Sequence, residues 1–155
     1  MKYTAIPALA SALFGLLLSA SPVAAHCQVP CGIYADDNVI AGMHTDWTTI
    51  EKASAQITEL AKDPSANAHQ LTRWIVNKEQ HAQNIQDTVS AYFLAQRVKV
   101  PADDASEADK TAYIAKVTLC HKVIVAAMKC KQSADPAAVK TLHDLLHDFE
   151  KTFGS

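Results

Sequence analysis

Four stretches of apolar residues recur along this chain at alternating spacings of three and four residues. That period places the apolar side chains on one face of an α-helix, as in helices that pack together in a bundle. The first two stripes comprise Ile40, Met43, Trp47, Ile50, Ser54, Ile57 and Ala61, and then Leu71, Ile75, Lys78, Ala82, Ile85, Val89 and Tyr92. Ser54 and Lys78 are polar members, and a lysine at such a position either extends to the surface or meets a buried acid. The last two comprise Tyr113, Val117, Cys120, Ile124 and Ala127, and then Val139, Leu142, Leu146, Phe149 and Phe153. No stretch alternates with period two, so we predict an all-α protein.

Short polar segments separate the four predicted helices. Asp63-Pro64-Ser65 is predicted to end the first helix, and the second is predicted to start near Asn67. Residues 106–109 (Ser-Glu-Ala-Asp) resemble a capping box before the third helix. Asp135-Pro136 places a cap residue before a proline in the first turn of the fourth. Helices joined by such short loops predict an antiparallel up-and-down four-helix bundle over residues 35–155.

Residues 1–25 have the pattern of a cleaved leader. Lys2 gives a short positive start, an apolar stretch follows, and Ser21-Pro22-Val23-Ala24-Ala25 has the small residues of a cleavage site. The apolar stretch is short for a permanent span, and an uncleaved anchor is the alternative. The leader predicts export to the periplasm, with no membrane contact after cleavage. If it acts instead as a pro-peptide, the protein would stay in the cytoplasm.

The charge of the chain excludes one class of partner. The formal net charge is −2 at pH 7, whereas a nucleic-acid-binding protein needs a basic face. There is also no lysine-rich stripe of the kind that binds an anionic membrane surface.

Residues 26–34 (His-Cys-Gln-Val-Pro-Cys-Gly-Ile-Tyr), called the hook below, have no helical period and concentrate ligating groups. Cleavage after Ala25 would make His26 the first residue of the mature chain. Its α-amine and imidazole, the amide and thiolate of Cys27 and the thiolate of Cys31 could then reach one metal ion.

The order of these donors predicts a planar site. The amine of His26 and the amide nitrogen of Cys27 close one five-membered chelate ring, and that nitrogen and the Cys27 sulfur close a second. Cys31 can supply the fourth donor, since Pro30 limits the loop and Gly32 permits a sharp exit. A planar set of two nitrogens and two sulfurs, with the imidazole in reach of an axial position, favours nickel(II) or copper(II) over zinc.

The four cysteines could instead form disulfides, as is common in exported proteins. A strained bridge between Cys27 and Cys31 is the main alternative to metal binding. Cys120 and Cys130 lie ten residues apart in one predicted helix, about 15 Å along its axis, which is too far for a disulfide. We therefore expect them to be buried as small apolar residues.

At the hook the sequence resembles the nickel superoxide dismutases, whose processed N-terminus reads His-Cys-X-X-Pro-Cys-Gly-X-Tyr. The fixed positions of that motif are occupied here by His26, Cys27, Pro30, Cys31, Gly32 and Tyr34. Lys78-Glu79-Gln80 matches a similar Lys-Glu-Gln of the family, and the resemblance spans residues 26–155.

The resemblance implies disproportionation of superoxide to dioxygen and hydrogen peroxide, with one nickel ion per subunit alternating between Ni(III) and Ni(II). His26, Cys27 and Cys31 would be the ligands, with the His26 imidazole axial in the oxidised state. Tyr34 would order substrate or water beside the open face, unless it only packs the hook onto the bundle. The family also implies a homohexamer.

Two positions depart from the family pattern. Members carry a Glu eight residues after the hook tyrosine and an Arg directly after Lys-Glu-Gln, and gapless counting reaches Gly42 and His81 here. His81 is thus a candidate to support the axial imidazole. Lys78 and Glu79 are candidates either for hook support or for a structural network.

Two alternative interpretations remain at this stage. A periplasmic carrier could hold nickel or copper without turnover, but it would not need Tyr34 or an open coordination position.

His143 and His147 have the i, i+4 spacing of a helical metal pair. Without a third ligand nearby in sequence, they are predicted to lie on a solvated face.

Overall fold

The computed structural model describes residues 36–154, and the predicted leader and hook lie outside this range. Its α-helices are α1 (Asp36–Leu60), α2 (Pro64–Asp87), α3 (Glu107–Gln132) and α4 (Pro136–Phe153). Thr88–Arg97 continues α2 with π-helical geometry. Residues 36–154 contain no strand, which confirms the all-α prediction.

Side-chain caps fix where three of the helices begin. Ser106 accepts from the backbone N–H of Asp109 at 3.2 Å, and Asp135 accepts from Ala137 at 2.9 Å, as predicted. The predicted start of α2 near Asn67 is wrong. Asp63 caps a helix that begins at Pro64, because proline lacks an N–H and suits the first helical turn.

Each long helix packs against two others: α1 against α2 and α4, and α3 against α2 and α4. The indole N–H of Trp47 donates to the carbonyl of Val139 at 3.0 Å, which ties α1 to α4. Phe93 of the π-helical segment packs against the Phe149 ring at a centroid distance of 4.6 Å. These contacts place the core between the four helices.

The predicted apolar stripes match the core except at the ends of α1 and α2. Cys120 and Cys130 are fully buried free thiols, as expected. Ile75, however, is 41 % exposed, and Ala61 lies beyond the end of α1. Full burial in α2 begins only at Lys78, so the first turns of its apolar stripe are half-buried or exposed.

By length and composition α3 could also cross a membrane, but the core helix of a soluble protein passes the same test. Here α3 contributes Val123 and Ala127 to the core while Ile114 and Met128 remain exposed.

Candidate functional site

The predicted ligands and Tyr34 all belong to the hook and therefore lie outside the described residues. The described chain begins at Asp36, two residues after Tyr34. The Asp36 carboxylate is buried, and both of its oxygens are bonded. Tyr92 donates its hydroxyl to Oδ1 at 2.7 Å, and Arg97 donates Nε–H and Nη2–H to Oδ2 at 2.8 and 2.6 Å. The chain is thus held firmly at the residue where it emerges from the hook.

Both residues that hold Asp36 lie on the π-helical segment Thr88–Arg97. Segments of this geometry occur often at functional sites, and here the segment carries the hydroxyl and the guanidinium to one carboxylate. A charge-assisted bond to Arg97 and a buried bond to Tyr92 are each stronger than an ordinary surface contact. Sequence analysis missed Asp36 and Arg97 because nothing local signals a contact across about sixty residues.

His81, the predicted candidate for imidazole support, has a carboxylate partner. Its Nδ1–H donates to Oδ1 of Asp46 at 2.5 Å, and the amide of Asn84 donates to the same oxygen at 3.3 Å. A carboxylate on Nδ1 fixes the tautomer and orientation of the ring and leaves Nε2 for a second partner.

Asp46 also bears on the departure from the family pattern at Gly42. It lies four residues after Gly42, which is one turn further along α1. Asp46 on α1 and His81, directly after Lys-Glu-Gln, therefore form an acid–base pair in this chain. The acid stands one turn after Gly42, the position that gapless counting reached. A four-residue offset on a helix keeps the same face, and that rule is the signal that could have found Asp46.

Lys78 and Glu79 lie at a junction between α2 and α3. The Lys78 ammonium is 3 % exposed, and it donates to the carbonyls of Cys130, Lys131 and Ser133. Glu79 is 3.6 Å from the ammonium nitrogen. The carbonyls at a helix C-terminus have no intrahelical partner and attract cations. Lys78 therefore caps α3, and its role in hook support stays a prediction.

The donors of the described residues bear on the nickel that the resemblance implies. Besides the hook pair, the chain has only Cys120 and Cys130, and burial raises the pKa of both thiols to about 11. Such thiols stay protonated at neutral pH, whereas a metal binds the thiolate. Cys27 and Cys31 therefore remain the predicted sulfur ligands of the nickel. The hook provides them together with nitrogen donors, so the residues present fit the metal.

The model of one protein family, described as nickel-containing superoxide dismutase, matches residues 21–155. No curated protein and no solved structure gives a significant match. The matched range includes the hook as well as all the described helices, and it confirms the resemblance drawn from the hook. This chain therefore belongs to the nickel-containing superoxide dismutase family and is a nickel-dependent oxidoreductase that converts superoxide to dioxygen and hydrogen peroxide.

Proposed function

We propose that the hook of this enzyme binds its nickel through His26, Cys27 and Cys31 once the chain is cleaved after Ala25. The carrying observation is the donor set: two thiolates, an amide, an amine and an imidazole within six residues. When bound, nickel supplies the one-electron redox chemistry of the reaction. Deprotonated ligands are required, so proton release accompanies binding.

The residues around the ligands give the hook its shape and its substrate contact. Pro30 restricts the loop before the metal binds, which reduces the ordering entropy lost on binding, and Gly32 permits the turn although it adds flexibility. Tyr34 orders superoxide or water through its hydroxyl, and backbone N–H groups of the hook help to hold the anion. The carboxylate of Asp36, two residues further along the chain, is bonded to Tyr92 and Arg97.

His81 supports the axial imidazole of His26, in the place of the Arg that the family carries. This part of the proposal rests on the 2.5 Å contact between His81 Nδ1 and Asp46 Oδ1, which orients the His81 ring from behind. Lys78 and Glu79 support the hook indirectly, because they fix α2 against α3.

The helices form an antiparallel up-and-down four-helix bundle over residues 35–155. The pairwise packing of the four long helices supports this arrangement. The enzyme assembles as a homohexamer, for which Val76 and Ile114, 62 % and 61 % exposed, offer apolar surface on α2 and α3.

Residues 1–25 act as a signal peptide, so the enzyme works outside the cytoplasm, in the periplasm. The small residues ending at Ala25 support cleavage at the position that exposes His26. Sequencing the mature N-terminus by mass spectrometry tests this directly. A mature chain that begins at Met1, or at any residue other than His26, contradicts the proposed site.

The test of the ligand set is to prepare the chain beginning at His26, load it with nickel and measure superoxide loss. Cys27→Ser removes one sulfur donor and is expected to abolish activity and to lower nickel content. An added Met before His26 moves the terminal amine and has the same expected effect. Cys120→Ser is the matched control, because that thiol is buried and protonated, and it should keep its nickel. Full activity of Cys27→Ser would overturn the proposal.

The His81 proposal needs a readout other than activity alone. His81→Phe keeps a ring of similar size but removes both nitrogens, and Asp46→Asn removes the charge that orients the ring. Each is expected to lower kcat and to change the axial nitrogen hyperfine splitting in the electron paramagnetic resonance spectrum of the oxidised enzyme. His69→Phe, the same substitution at an exposed position of α2, is the control. An unchanged splitting in both variants would contradict this role.

A further inference from the structure

Three histidines and a glutamate meet between α1 and α4, outside the hook. His143, His147 and Glu150 lie on successive turns of α4, and His44 reaches them from α1. One ligating atom from each of His44, His147 and Glu150 lies within 4.8 Å of the others. The sequence offered His143 and His147 without a third ligand, and the fold supplies His44 and Glu150.

The spacing of these atoms suits an ion better than direct hydrogen bonds. Oε2 of Glu150 is 3.5 Å from Nε2 of His44 and 3.5 Å from Nδ1 of His147. Strong hydrogen bonds between such atoms are about 2.7–3.2 Å long. Ligands about 2.0–2.1 Å from a tetrahedral ion are about 3.3 Å from one another. Both Glu150 distances are close to this value, and the ligating nitrogens of His44 and His147 lie within 4.8 Å of one another.

Nε2 of His44 is the most informative atom of the cluster. It is buried, and among residues 36–154 it has no hydrogen-bond partner. Buried polar atoms are nearly always satisfied in native proteins, and an exception calls for a bound ion or water. Burial also lowers the pKa of His44, although Glu150 opposes this.

Two further contacts fix the orientation of the His147 and His143 rings. If His147 binds through Nδ1, its Nε2–H can donate to Nε2 of His143, which is 3.1 Å away. His143 in turn stacks on Trp47, with ring centroids 3.8 Å apart. Metal-binding histidines usually donate their second ring N–H to such a partner. His143 is thus a positioning residue for His147.

We infer that His44, His147 and Glu150 form a second metal site, separate from the nickel hook, for a divalent ion of the zinc type. Two imidazoles and one carboxylate are a donor set found in zinc proteins. The side chains of His147 and Glu150 are 49 % and 55 % exposed, so an ion can enter and keep a water ligand. Because the ligands come from α1 and α4, a bound ion cross-links the two helices.

The test is titration of Zn²⁺ into the mature, nickel-loaded enzyme, followed by calorimetry and metal analysis after dialysis. We expect one zinc ion per chain and a higher Tm in the presence of zinc. His44→Asn and His147→Asn should each weaken zinc binding at least tenfold. His143→Gln should weaken it less, since it removes only the positioning contact. His69→Asn, an exposed histidine of α2, is the matched control and should bind as the wild type does.

Two further arms separate this site from the hook. The Cys27→Ser, Cys31→Ser double variant should still bind one zinc ion, whether or not the proposed nickel ligands are correct. Co²⁺ bound in that variant should show visible d–d bands without a sulfur-to-metal charge-transfer band. If His44→Asn fails to fold, Glu150→Gln tests the same site from the surface. Absence of a zinc ion in the wild type, or zinc binding unchanged in the ligand variants, would overturn the inference.

Discussion

Lys78 and His44 each place a side-chain nitrogen inside the protein, but their surroundings differ. The Lys78 ammonium lies between α2 and α3, and carbonyls at the end of α3 accept all of its N–H groups. His44 lies between α1 and α4, and its Nε2 has no hydrogen-bond partner among the described residues. Burial lowers the pKa of both groups.

The difference shows which buried polar groups stabilise the fold and which are open to a ligand. A satisfied cation such as Lys78 joins two helices without any further group, and removing it leaves its acceptors unpaired. An unsatisfied nitrogen such as Nε2 of His44 lowers stability until something binds to it. The two positions therefore predict opposite responses to substitution and to added metal.

The largest effect is expected for Lys78→Ala. The substitution leaves three carbonyls without their donor and opens a cavity, so the free energy of unfolding should fall by about 3 kcal/mol or more. Urea unfolding measures the change. Lys122→Ala, at an exposed position of α3, is the control and should change stability by less than about 0.5 kcal/mol. If Lys78→Ala and Lys122→Ala have the same free energy of unfolding, the buried bonds of Lys78 do not stabilise the fold and the contrast with His44 fails.

Tyr92→Phe should have the next largest effect. It removes one buried hydrogen bond to the Asp36 carboxylate but keeps the ring, so we expect a loss of about 1.5–3 kcal/mol. Tyr113→Phe, at a half-buried position of α3, is the control for loss of a hydroxyl. If Asp36 also fixes the exit of the hook, Tyr92→Phe should lower the specific activity at full nickel occupancy. An undiminished activity would limit Asp36 to a structural role.

A smaller, pH-dependent effect is expected at His44 in the presence of a chelator. Its pKa lies below the ordinary value of 6.5 in the folded protein. As the pH falls below 6.5, the unfolded chain takes up the proton first, so the free energy of unfolding decreases. His44→Gln should reduce this slope between about pH 5 and pH 7, and His69→Gln should not. Urea unfolding at several pH values measures it, and an identical slope in His44→Gln would contradict the burial argument.

The smallest effect is expected at the surface ion pair of Lys140 and Asp144. The atoms are 2.6 Å apart, a shorter contact than most of those around Lys78, but the side chains are 74 % and 58 % exposed. Water screens such a pair, so Lys140→Ala should leave the free energy of unfolding unchanged within the error of the measurement. A loss comparable to that of Lys78→Ala would show that distance, rather than burial, decides the strength of these contacts.

The local sequence patterns predicted the four helices but placed the start of α2 too late. Asp63-Pro64 and Asp135-Pro136 are the same motif, and each starts a helix in the structure. Only Asp135-Pro136 was predicted to start a helix, because the apolar stripe of α2 becomes clear several residues after Asp63-Pro64. The π-helical geometry of Thr88–Arg97 was not predicted, since the apolar residues there keep an ordinary helical spacing.

Most of the candidate nickel site could be predicted from sequence because its donors lie within six consecutive residues. The sequence analysis missed the partner of His81, although a one-turn offset from Gly42 pointed to Asp46. The contact itself joins residues 35 apart in the chain and depends on how α1 packs on α2. Lys78 interrupted an apolar stripe, which indicated a special role. Its acceptors, the carbonyls at the end of α3, were invisible in a pattern that records side chains only.

The sequence alone determined the all-α class and the buried state of Cys120 and Cys130, and it supplies the donor groups from which nickel binding by the hook is predicted. These follow from helical periodicity and from the chemistry of neighbouring residues, both of which are local. Only the tertiary structure decided which distant side chains meet, as in the cap of Lys78 on α3 and the cluster around His44. Contacts between separate helices depend on their packing and register, and no spacing within one helix specifies those.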